Sequence, residues 1–352
     1  MITNVRLQNF RSYIDSSFEF DDGVNIVVGP NATGKTNLIE AIYILARNTS
    51  FRVKDKDLIG FGSEWLRVDS YISNTNRVLK ITNTNEGISK ETIIDGKSYK
   101  RLPREQYFPI VLFEPNQLQL MSGGPEGRRN FIDELVSQSR SEHTASLQKY
   151  RRVVSQRNSL LKSGINDERQ FFVWNTRLVE LAAKLVSNRM GALNEINKTI
   201  SDIYSDIAGK KHRVVLEYTS PCRLDNYASS LMKSLELSLD KDRLRGFTAF
   251  GPHREDVRIS IDGKDTTVSA SRGEARTMLL ALKTFEIQEF VKTNKHRPIL
   301  LLDDVFSELD GLRRKKLTSF LDKYQSFITT TDADIVRSNI KSSKIITTSN
   351  LN

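Results

Sequence analysis

The residues from Gly29 to Thr36, GPNATGKT, match the phosphate-binding pattern G-x-x-x-x-G-K-[ST]. The run Val24–Val28 comes directly before them, is rich in β-branched residues and predicts a buried strand. Apolar residues at helical spacing follow the motif, at Leu38, Ile39, Ala41, Ile42 and Leu45. The alternative is a glycine-rich loop that matches the pattern by chance, but such a loop would not be expected to lie between a predicted strand and a predicted helix. The motif therefore predicts an α/β fold that binds a nucleotide between the two elements.

The motif also predicts a role for each of its residue types. The glycines let backbone N–H groups close around phosphates, and the helix N-terminus adds partial positive charge. Lys35 is expected to reach the terminal phosphates of ATP, and the Thr36 hydroxyl to bind Mg²⁺. The predicted nucleotide-binding residues of this loop are Gly29, Pro30, Asn31, Ala32, Thr33, Gly34, Lys35 and Thr36.

Composition narrows the classes of protein to which the chain can belong. Its 352 residues suffice for one large domain or two modest ones, and the single cysteine, Cys222, excludes a disulfide framework and a cysteine-based zinc site. No apolar segment approaches the ~20 residues of a membrane span, so we expect a soluble cytoplasmic protein. The formal net charge of +10 favours a polyanionic partner such as nucleic acid, although solvated lysine-rich surfaces also produce such values.

The predicted secondary structure changes twice along the chain, from strands to helices and back to strands. Short strands at Trp65–Val68 and Arg77–Ile81 and a hairpin turn at Asp95-Gly96 are predicted before about Phe113. Helical apolar stripes follow, with a break at Ser163-Gly164, and strands return from about Arg213. The partners of the phosphate loop should therefore lie in the last third of the chain, beyond a helical insertion.

A second acidic motif lies in that last third. Ile299–Leu302 is an apolar run typical of a buried strand, and Asp303 and Asp304 follow it. Asp303 is expected in the Mg²⁺ shell, and Asp304 is expected to orient or deprotonate an attacking water. The alternative is a capped turn, which the phosphate loop disfavours.

The segment Ser271-Arg272-Gly273-Glu274 precedes an amphipathic helix and has two compatible interpretations. Ser-x-x-Glu before an apolar run is a capping box, which satisfies the free N–H groups of the first helical turn. A helix N-terminus with serine and glycine is also a second phosphate site.

A basic run between Arg128 and Ser163 carries eight basic residues against three acidic ones. Lys149, Arg151, Arg152 and Arg157 lie off the apolar stripe and are predicted to cover a solvent face that binds DNA phosphates. A solvated helix face is the alternative. Rival basic patches are Lys210–Arg213 and Arg313–Lys316.

The order of these motifs resembles the ABC-type ATPase heads shared with SMC proteins, and within that class it is similar to the RecF family of bacterial DNA replication and repair proteins. The segments that carry the resemblance are NFRSY from Asn9, GPNATGKTNLIEAIY from Gly29, SFR from Ser50, FEPNQLQLMSGGPEGRRNFID from Phe113, GPHRED from Gly251, ASRGEART from Ala270, LLLDDVFSELD from Leu300 and ITTTDAD from Ile328. The resemblance implies an α/β P-loop ATPase head with an antiparallel β subdomain and an inserted helical lobe. Its expected domains are a discontinuous ATPase domain, 1–115 with 240–352, and a helical lobe, 116–239.

The resemblance also implies a mechanism, in which two heads dimerise around ATP and hydrolysis releases them. Arg11 would approach the nucleotide, Ser271 would contact the γ-phosphate held by the opposing subunit, and Asp304 matches the catalytic glutamate of ABC proteins. This carboxylate is one methylene shorter than glutamate, and Thr330-Thr331-Asp332 replaces the usual switch histidine, so slow ATPase activity is expected. Either Asn116 or Gln117 is expected to sense the γ-phosphate.

The implied biological role is an ATP-dependent DNA-binding switch. Such a dimer would bind duplex or gapped DNA without sequence preference and, with RecO and RecR partners, help load RecA in recombinational repair, replication restart and SOS induction. Two alternatives are an ATPase subunit of an ABC transporter and a P-loop small-molecule kinase. The Ser-Arg-Gly-Glu helix start disfavours the transporter subunit, and the second phosphate site disfavours the kinase.

Overall fold

The computed structural model describes residues 1–164, 167–293, 297–337, 340 and 342–348. Two compact units make up the chain, Met1–Asn116 with Glu286–Asn352, and Gln117–Phe285. The expected division into an ATPase domain, 1–115 with 240–352, and a helical lobe, 116–239, stays a prediction.

The strands of the described residues fall in both units. They are β1 (Ile2–Phe10), β2 (Tyr13–Glu19), β3 (Val24–Val28), β4 (Trp65–Ile72), β5 (Thr75–Thr84), β6 (Gly87–Ile94), β7 (Lys97–Tyr99), β8 (Ile110–Phe113), β9 (Val214–Thr219), β10 (Asp256–Ile261), β11 (Lys264–Asp265), β12 (Ile299–Asp303), β13 (Ser326–Thr330) and β14 (Ser343–Thr347).

The α-helices of the described residues are concentrated in the second unit. They are α1 (Lys35–Arg47), α2 (Gln119–Ser122), α3 (Pro125–Ser139), α4 (Ser141–Lys162), α5 (Glu168–Asn197), α6 (Ile200–Ala208), α7 (Tyr227–Leu237), α8 (Leu239–Arg245), α9 (Thr266–Ser269), α10 (Arg272–Thr293), α11 (Gly311–Leu321) and α12 (Ala333–Arg337).

A parallel sheet in the first unit brings distant parts of the sequence together. Its strand order is β14-β3-β13-β12-β8, and every pairing in it is parallel. Thr330 of β13 lies opposite Val28 at the end of β3, and Asp303 of β12 lies opposite Thr329. Because parallel strands end at one edge of the sheet, the phosphate loop and the acidic pair open at the same edge. This confirms that the partners of the loop come from the last third of the chain.

An antiparallel sheet completes the first unit, with the strand order β2-β1-β4-β5-β6-β7. The strands predicted at Trp65–Val68 and Arg77–Ile81 are β4 and β5. Asp95 and Gly96 have φ values of 46° and 82°, as a two-residue turn of the I′ class requires between β6 and β7, so this prediction is also confirmed. One apolar core contains α1 side chains together with side chains of both sheets.

The second unit is mainly helical, and its apolar stripes become long helices. The apolar stripe that follows the break lies on α5, a single 30-residue helix that contains Trp174, Leu178, Leu181 and Leu185. The predicted break at Ser163-Gly164 is present, and Gly164 has the left-handed φ of 72° that glycine adopts freely. β9 and β10 pair antiparallel in a sheet with β11, but α7 and α8 lie between them in sequence. The sequence pattern did not predict these two helices.

Candidate nucleotide-binding site

The phosphate loop connects β3 to α1 in a conformation that only small residues permit. Gly34 has a φ of 88°, and a Cβ atom there would lie 2.9 Å from the Tyr13 ring. At Gly29 a Cβ atom would lie 2.3 Å from the Thr348 hydroxyl oxygen. The loop also forms a hydrogen bond to a residue outside it, because the Thr33 and Thr348 hydroxyl oxygens are 2.8 Å apart. The loop backbone therefore lies so close to the Tyr13 and Thr348 side chains that a residue larger than glycine would not fit at Gly29 or Gly34.

Lys35, the first residue of α1, folds back over this loop. Its Nζ donates hydrogen bonds to the carbonyl oxygens of Gly29 and Pro30, each 2.7 Å long. Burial lowers the pKa of Lys35, and the charges of Asp304 and Asp303 act in the opposite direction. The ammonium group is thus held over the loop, where a phosphate would be its natural counter-ion.

Thr36 and Asp303 form the pair expected to hold magnesium. The Thr36 hydroxyl donates to Oδ1 of Asp303 over 3.0 Å, and the Thr329 hydroxyl donates to the same oxygen over 2.7 Å. Burial raises the pKa of Asp303, whereas these two hydrogen bonds lower it.

The donor set of this pair fits magnesium better than metals that need a protein cage. A hydroxyl and a single carboxylate are ligands that Mg²⁺ uses when phosphates and water complete its shell. The part of the chain that the structure describes contains no group of three or more His, Cys, Asp and Glu side chains suited to a metal.

Asp304 follows β12 and faces solvent. Its φ is 50°, and its backbone N–H donates to the Thr329 hydroxyl over 2.8 Å. The Ser307 hydroxyl donates to the Asp304 carboxylate over 3.1 Å and to its carbonyl oxygen over 2.8 Å. The carboxylate is therefore oriented and accessible to water, as the predicted role requires.

Arg11 lies in the turn between β1 and β2, next to the phosphate loop. The adjacent Tyr13 hydroxyl donates to the carbonyl oxygen of Gly34 over 3.0 Å. The Arg11 side chain, however, donates to the fully buried Glu40 carboxylate over 3.0 and 3.3 Å and to the Asp57 carbonyl oxygen over 2.9 Å. Its approach to a nucleotide stays a prediction.

Two residues near the site were assigned no role from sequence. Glu40 of α1 accepts from Arg11 and also from the Ser50 hydroxyl, so it joins the β1–β2 turn to the segment after α1. The charge of Arg52, in that segment, lowers the pKa of Asp303. A carboxylate inside an otherwise apolar helical stripe was the only sequence signal for Glu40.

Ser271 belongs to the second unit and forms the predicted capping box. The Ser271 N–H donates to the Glu274 carboxylate over 2.8 Å, and the Glu274 N–H donates to the Ser271 hydroxyl over 3.2 Å. The hydrogen bond from the Ser271 backbone is the main reason that the pKa of Glu274 is lowered. The capping interpretation is confirmed, while the second phosphate site at this exposed helix start stays a prediction.

The four basic residues predicted to contact DNA divide into two groups on α4. Lys149, Arg151 and Arg152 are exposed. Arg157 is fully buried, and its guanidinium donates to Asp242 over 2.8 Å and to the Asn175 side chain over 2.8 Å. The prediction that Arg157 covers a solvent face is therefore wrong. It lies seven residues, two helical turns, after the buried Tyr150 and so shares its face.

The candidate γ-phosphate sensors lie just after β8. Asn116 and Gln117 are part of a short 3₁₀ turn, Pro115–Leu118, in which Asn116 is exposed and Gln117 is half-buried. Both remain candidates.

In the described ranges, no helix combines the length and the apolar character needed to cross a membrane.

Comparison with known proteins gives matches over nearly the whole chain. The family model described as RecF/RecN/SMC N terminal domain matches residues 1–351. The DNA replication and repair protein RecF of Streptococcus gordonii is 36% identical over 361 residues, which cover 100% of this chain and 99% of that protein. RecF of Halalkalibacterium halodurans is 32% identical, with 95% of this chain and 93% of that protein covered.

Solved structures give the same result at the level of the fold. A structure of the recombination mediator protein RecF with ATP has a TM-score of 0.84 and 30% identity, with 94% of this chain and 92% of that chain covered. An Smc head bound to the C-terminal winged-helix domain of ScpA has a TM-score of 0.55 and 19% identity, with 98% of this chain and 93% of that chain covered, and this likeness concerns the fold alone.

Proposed function

The chain belongs to the RecF family of DNA replication and repair proteins and has the ABC-type ATPase head fold, and on this premise we propose that it is an ATP-dependent DNA-binding switch. The observation that carries the proposal is the joint geometry of the phosphate loop and β12. Lys35 is held over the loop, and the Thr36 hydroxyl lies 3.0 Å from an Asp303 oxygen. A catalytic carboxylate candidate, Asp304, follows directly.

The residues present fit ATP with Mg²⁺, which would supply charge neutralisation at the phosphates. The loop N–H groups and Lys35 would bind the phosphates, and Thr36 with Asp303 would hold the metal. Asp304 would orient a water or accept its proton, while Arg11 would approach the nucleotide from the β1–β2 turn. Each of these groups lies at the same edge of the parallel sheet or beside it.

The proposal includes a second copy of the chain. Ser271 is exposed and directly precedes α10, a 22-residue helix, and such a helix start suits a phosphate held by another subunit. ATP would then hold two heads together, and hydrolysis would release them. Asp304 is one methylene shorter than glutamate, and Thr330-Thr331-Asp332 stands where many ABC proteins have a histidine, so we expect slow hydrolysis suited to a switch.

The nucleic-acid part of the proposal rests on charge. The net charge of +10 and the exposed Lys149, Arg151 and Arg152 favour backbone contacts with duplex or gapped DNA. Family membership supports action in the cytoplasm with RecO- and RecR-type mediators to load RecA during recombinational repair, replication restart and SOS induction. Family membership also favours this function over the two alternatives, a transporter ATPase and a small-molecule kinase.

The test is nucleotide binding by a Lys35→Ala variant. Loss of the cation that neutralises the β- and γ-phosphates should abolish detectable ATP binding at concentrations that saturate the wild type, without unfolding the chain. Lys100→Ala removes an exposed lysine from the same unit and should bind ATP normally. Unchanged affinity in Lys35→Ala would remove the nucleotide site from this loop.

A further inference from the structure

Thr329, near the end of β13, joins the two acidic residues of the site. Its hydroxyl donates to Oδ1 of Asp303 over 2.7 Å and accepts from the backbone N–H of Asp304 over 2.8 Å. The residue is 1% exposed, and its Cα lies opposite that of Asp303 in the parallel ladder. We propose that Thr329 is a positioning residue that fixes the Asp303 carboxylate for Mg²⁺ and the Asp304 carboxylate for water. This inference rests on the proposed function.

The chemistry at this point requires a hydroxyl group. An ionised carboxylate only accepts hydrogen bonds, and a backbone N–H only donates them. A single side-chain atom can serve both only if it donates and accepts at once, as the oxygen of threonine or serine does. The β-branched side chain also suits the strand, so threonine meets the requirements of both the element and the site.

Asp304 has a conformation that needs such support. Its φ of 50° is left-handed, a region that is unfavourable for residues with a side chain. Its N–H points back toward β13, where the Thr329 hydroxyl accepts it. The hydrogen bond therefore fixes the direction in which the chain leaves β12, and with it the position of the Asp304 carboxylate.

Asp303 is oriented from two sides. The hydroxyls of Thr36 and Thr329 both donate to Oδ1. Thr36 is itself a predicted metal ligand, whereas Thr329 acts only through the two aspartates. Partners of this kind hold metal ligands in place, and their loss typically lowers metal affinity or activity by about 10- to 100-fold.

The experiment replaces the hydroxyl while preserving shape. Thr329→Val keeps the β-branched side chain, Thr329→Ser keeps the hydroxyl, and Thr318→Val removes a buried threonine hydroxyl from α11 of the same unit as a control. Affinity for a fluorescent ATP analogue is measured with Mg²⁺ and with EDTA, and hydrolysis is followed as kcat and KM.

The gain in affinity on adding Mg²⁺ should fall by about tenfold or more in Thr329→Val, while affinity in EDTA stays close to that of the wild type. kcat should fall more than KM changes. Thr329→Ser and Thr318→Val should both behave as wild type. A purely structural role would instead lower stability and leave the Mg²⁺ effect intact.

Two results would overturn the inference. They are a full Mg²⁺ effect in Thr329→Val, and a lost Mg²⁺ effect in Thr329→Ser. If the valine variant does not fold, Thr329→Ala, which also lacks any donor or acceptor in the side chain, takes its place with the same criteria. Failure of the wild type to bind ATP would contradict the proposed function itself, so the two failures are distinguishable.

Discussion

Asp304 combines backbone strain, exposure and charge in one residue. Its left-handed φ of 50° is tolerated by aspartate and asparagine better than by most side chains, so an amide can replace the carboxylate without refolding the turn. Asp303 and Thr36 stay in place in such a variant. Binding and hydrolysis can therefore be separated at this position.

We predict that Asp304→Asn binds ATP like the wild type but hydrolyses it at least about a hundredfold more slowly, because the group that acts on water loses its charge. ATP-bound dimers should persist, and their residence on DNA should lengthen. Single-turnover hydrolysis and dimer lifetime are the measurements. Hydrolysis at the wild-type rate would assign the catalytic carboxylate elsewhere.

His253 is a half-buried neutral base in the second unit. Its Nε2 lies 3.1 Å from the Thr248 carbonyl oxygen, and its Nδ1 lies 2.6 Å from the Tyr150 hydroxyl. Nε2 therefore carries the proton and donates it, while Nδ1 accepts. Burial, aided by nearby arginine charges, lowers the pKa of His253 to about 4 from its ordinary value of 6.5.

This lowered pKa predicts that the free energy of unfolding falls as the pH falls, because the folded chain favours the neutral form of His253. The unfolded chain takes up the proton near pH 6.5, but the folded chain resists it until about pH 4. The contribution is therefore complete above pH 6.5 and is lost as the pH falls toward 4, by about 2 kcal/mol between pH 7.5 and 5. Urea unfolding at both pH values should show a smaller loss in His253→Gln; an equal loss would contradict the prediction.

At the level of single residues, the sequence predicted the loop and both aspartates because their spacing reflects chemistry. It failed at Arg157, where charge suggested a solvent face and the helical position put the side chain inside, against Asp242. Glu40 and Thr329 could not be assigned, because their partners Arg11 and Asp304 come from distant parts of the chain.

Among the elements, the start of α10 permits a test that separates stability from assembly. Ser271→Ala removes the capping hydroxyl and should cost about 1 kcal/mol. If Ser271 also contacts a phosphate of the second copy, the variant should lose ATP-driven dimerisation while single chains still bind ATP. Asp167→Ala removes a comparable cap, at α5, and should lower stability alone. A destabilised Ser271→Ala that dimerises normally would leave the serine with its capping role only.

The exposed basic face of α4 gives the element-scale test of DNA binding. Replacing Lys149, Arg151 and Arg152 by Gln should weaken binding to all sequences alike and reduce the slope of log affinity against log salt by about three units, one per phosphate contact. Lys97, Lys100 and Arg101, changed together to Gln, remove the same charge from an exposed part of the other unit. An unaltered slope for α4 would move the DNA surface to Lys210–Arg213 or Arg313–Lys316.

Elements were predictable where a local pattern specified them. β12 is a buried parallel strand that appears as an apolar run up to Asp303, and β3 is a β-branched run interrupted only by Asn25. The Asp95-Gly96 turn needs left-handed residues. α7 and α8 were missed because both are short and their exposed residues include Leu237 and Leu244, which blur the apolar stripe. The pairing of β3 with β13 joins residues about three hundred positions apart, and only the motifs indicated it.

For the whole molecule, we propose that ATP joins two copies of the chain and that the ATP-bound dimer binds DNA. Lys35 lies in the first compact unit and Ser271 in the second. In the proposed dimer, Lys35 of one copy and Ser271 of the other would bind the same nucleotide. Nucleotide binding at Lys35 alone would not distinguish a switch from a simple nucleotide-binding protein. The distinguishing property is dimerisation that depends on ATP.

The most direct measurement is the mass in solution with gapped duplex DNA and with ATP and Mg²⁺, ADP or no nucleotide, at fixed salt. We expect two chains per DNA with ATP, and one-chain mass with weak DNA binding in ADP or without nucleotide. Lys35→Ala should remain at one-chain mass under all three conditions. A mass that does not depend on the nucleotide, or dimers that form equally in Lys35→Ala, would contradict the account.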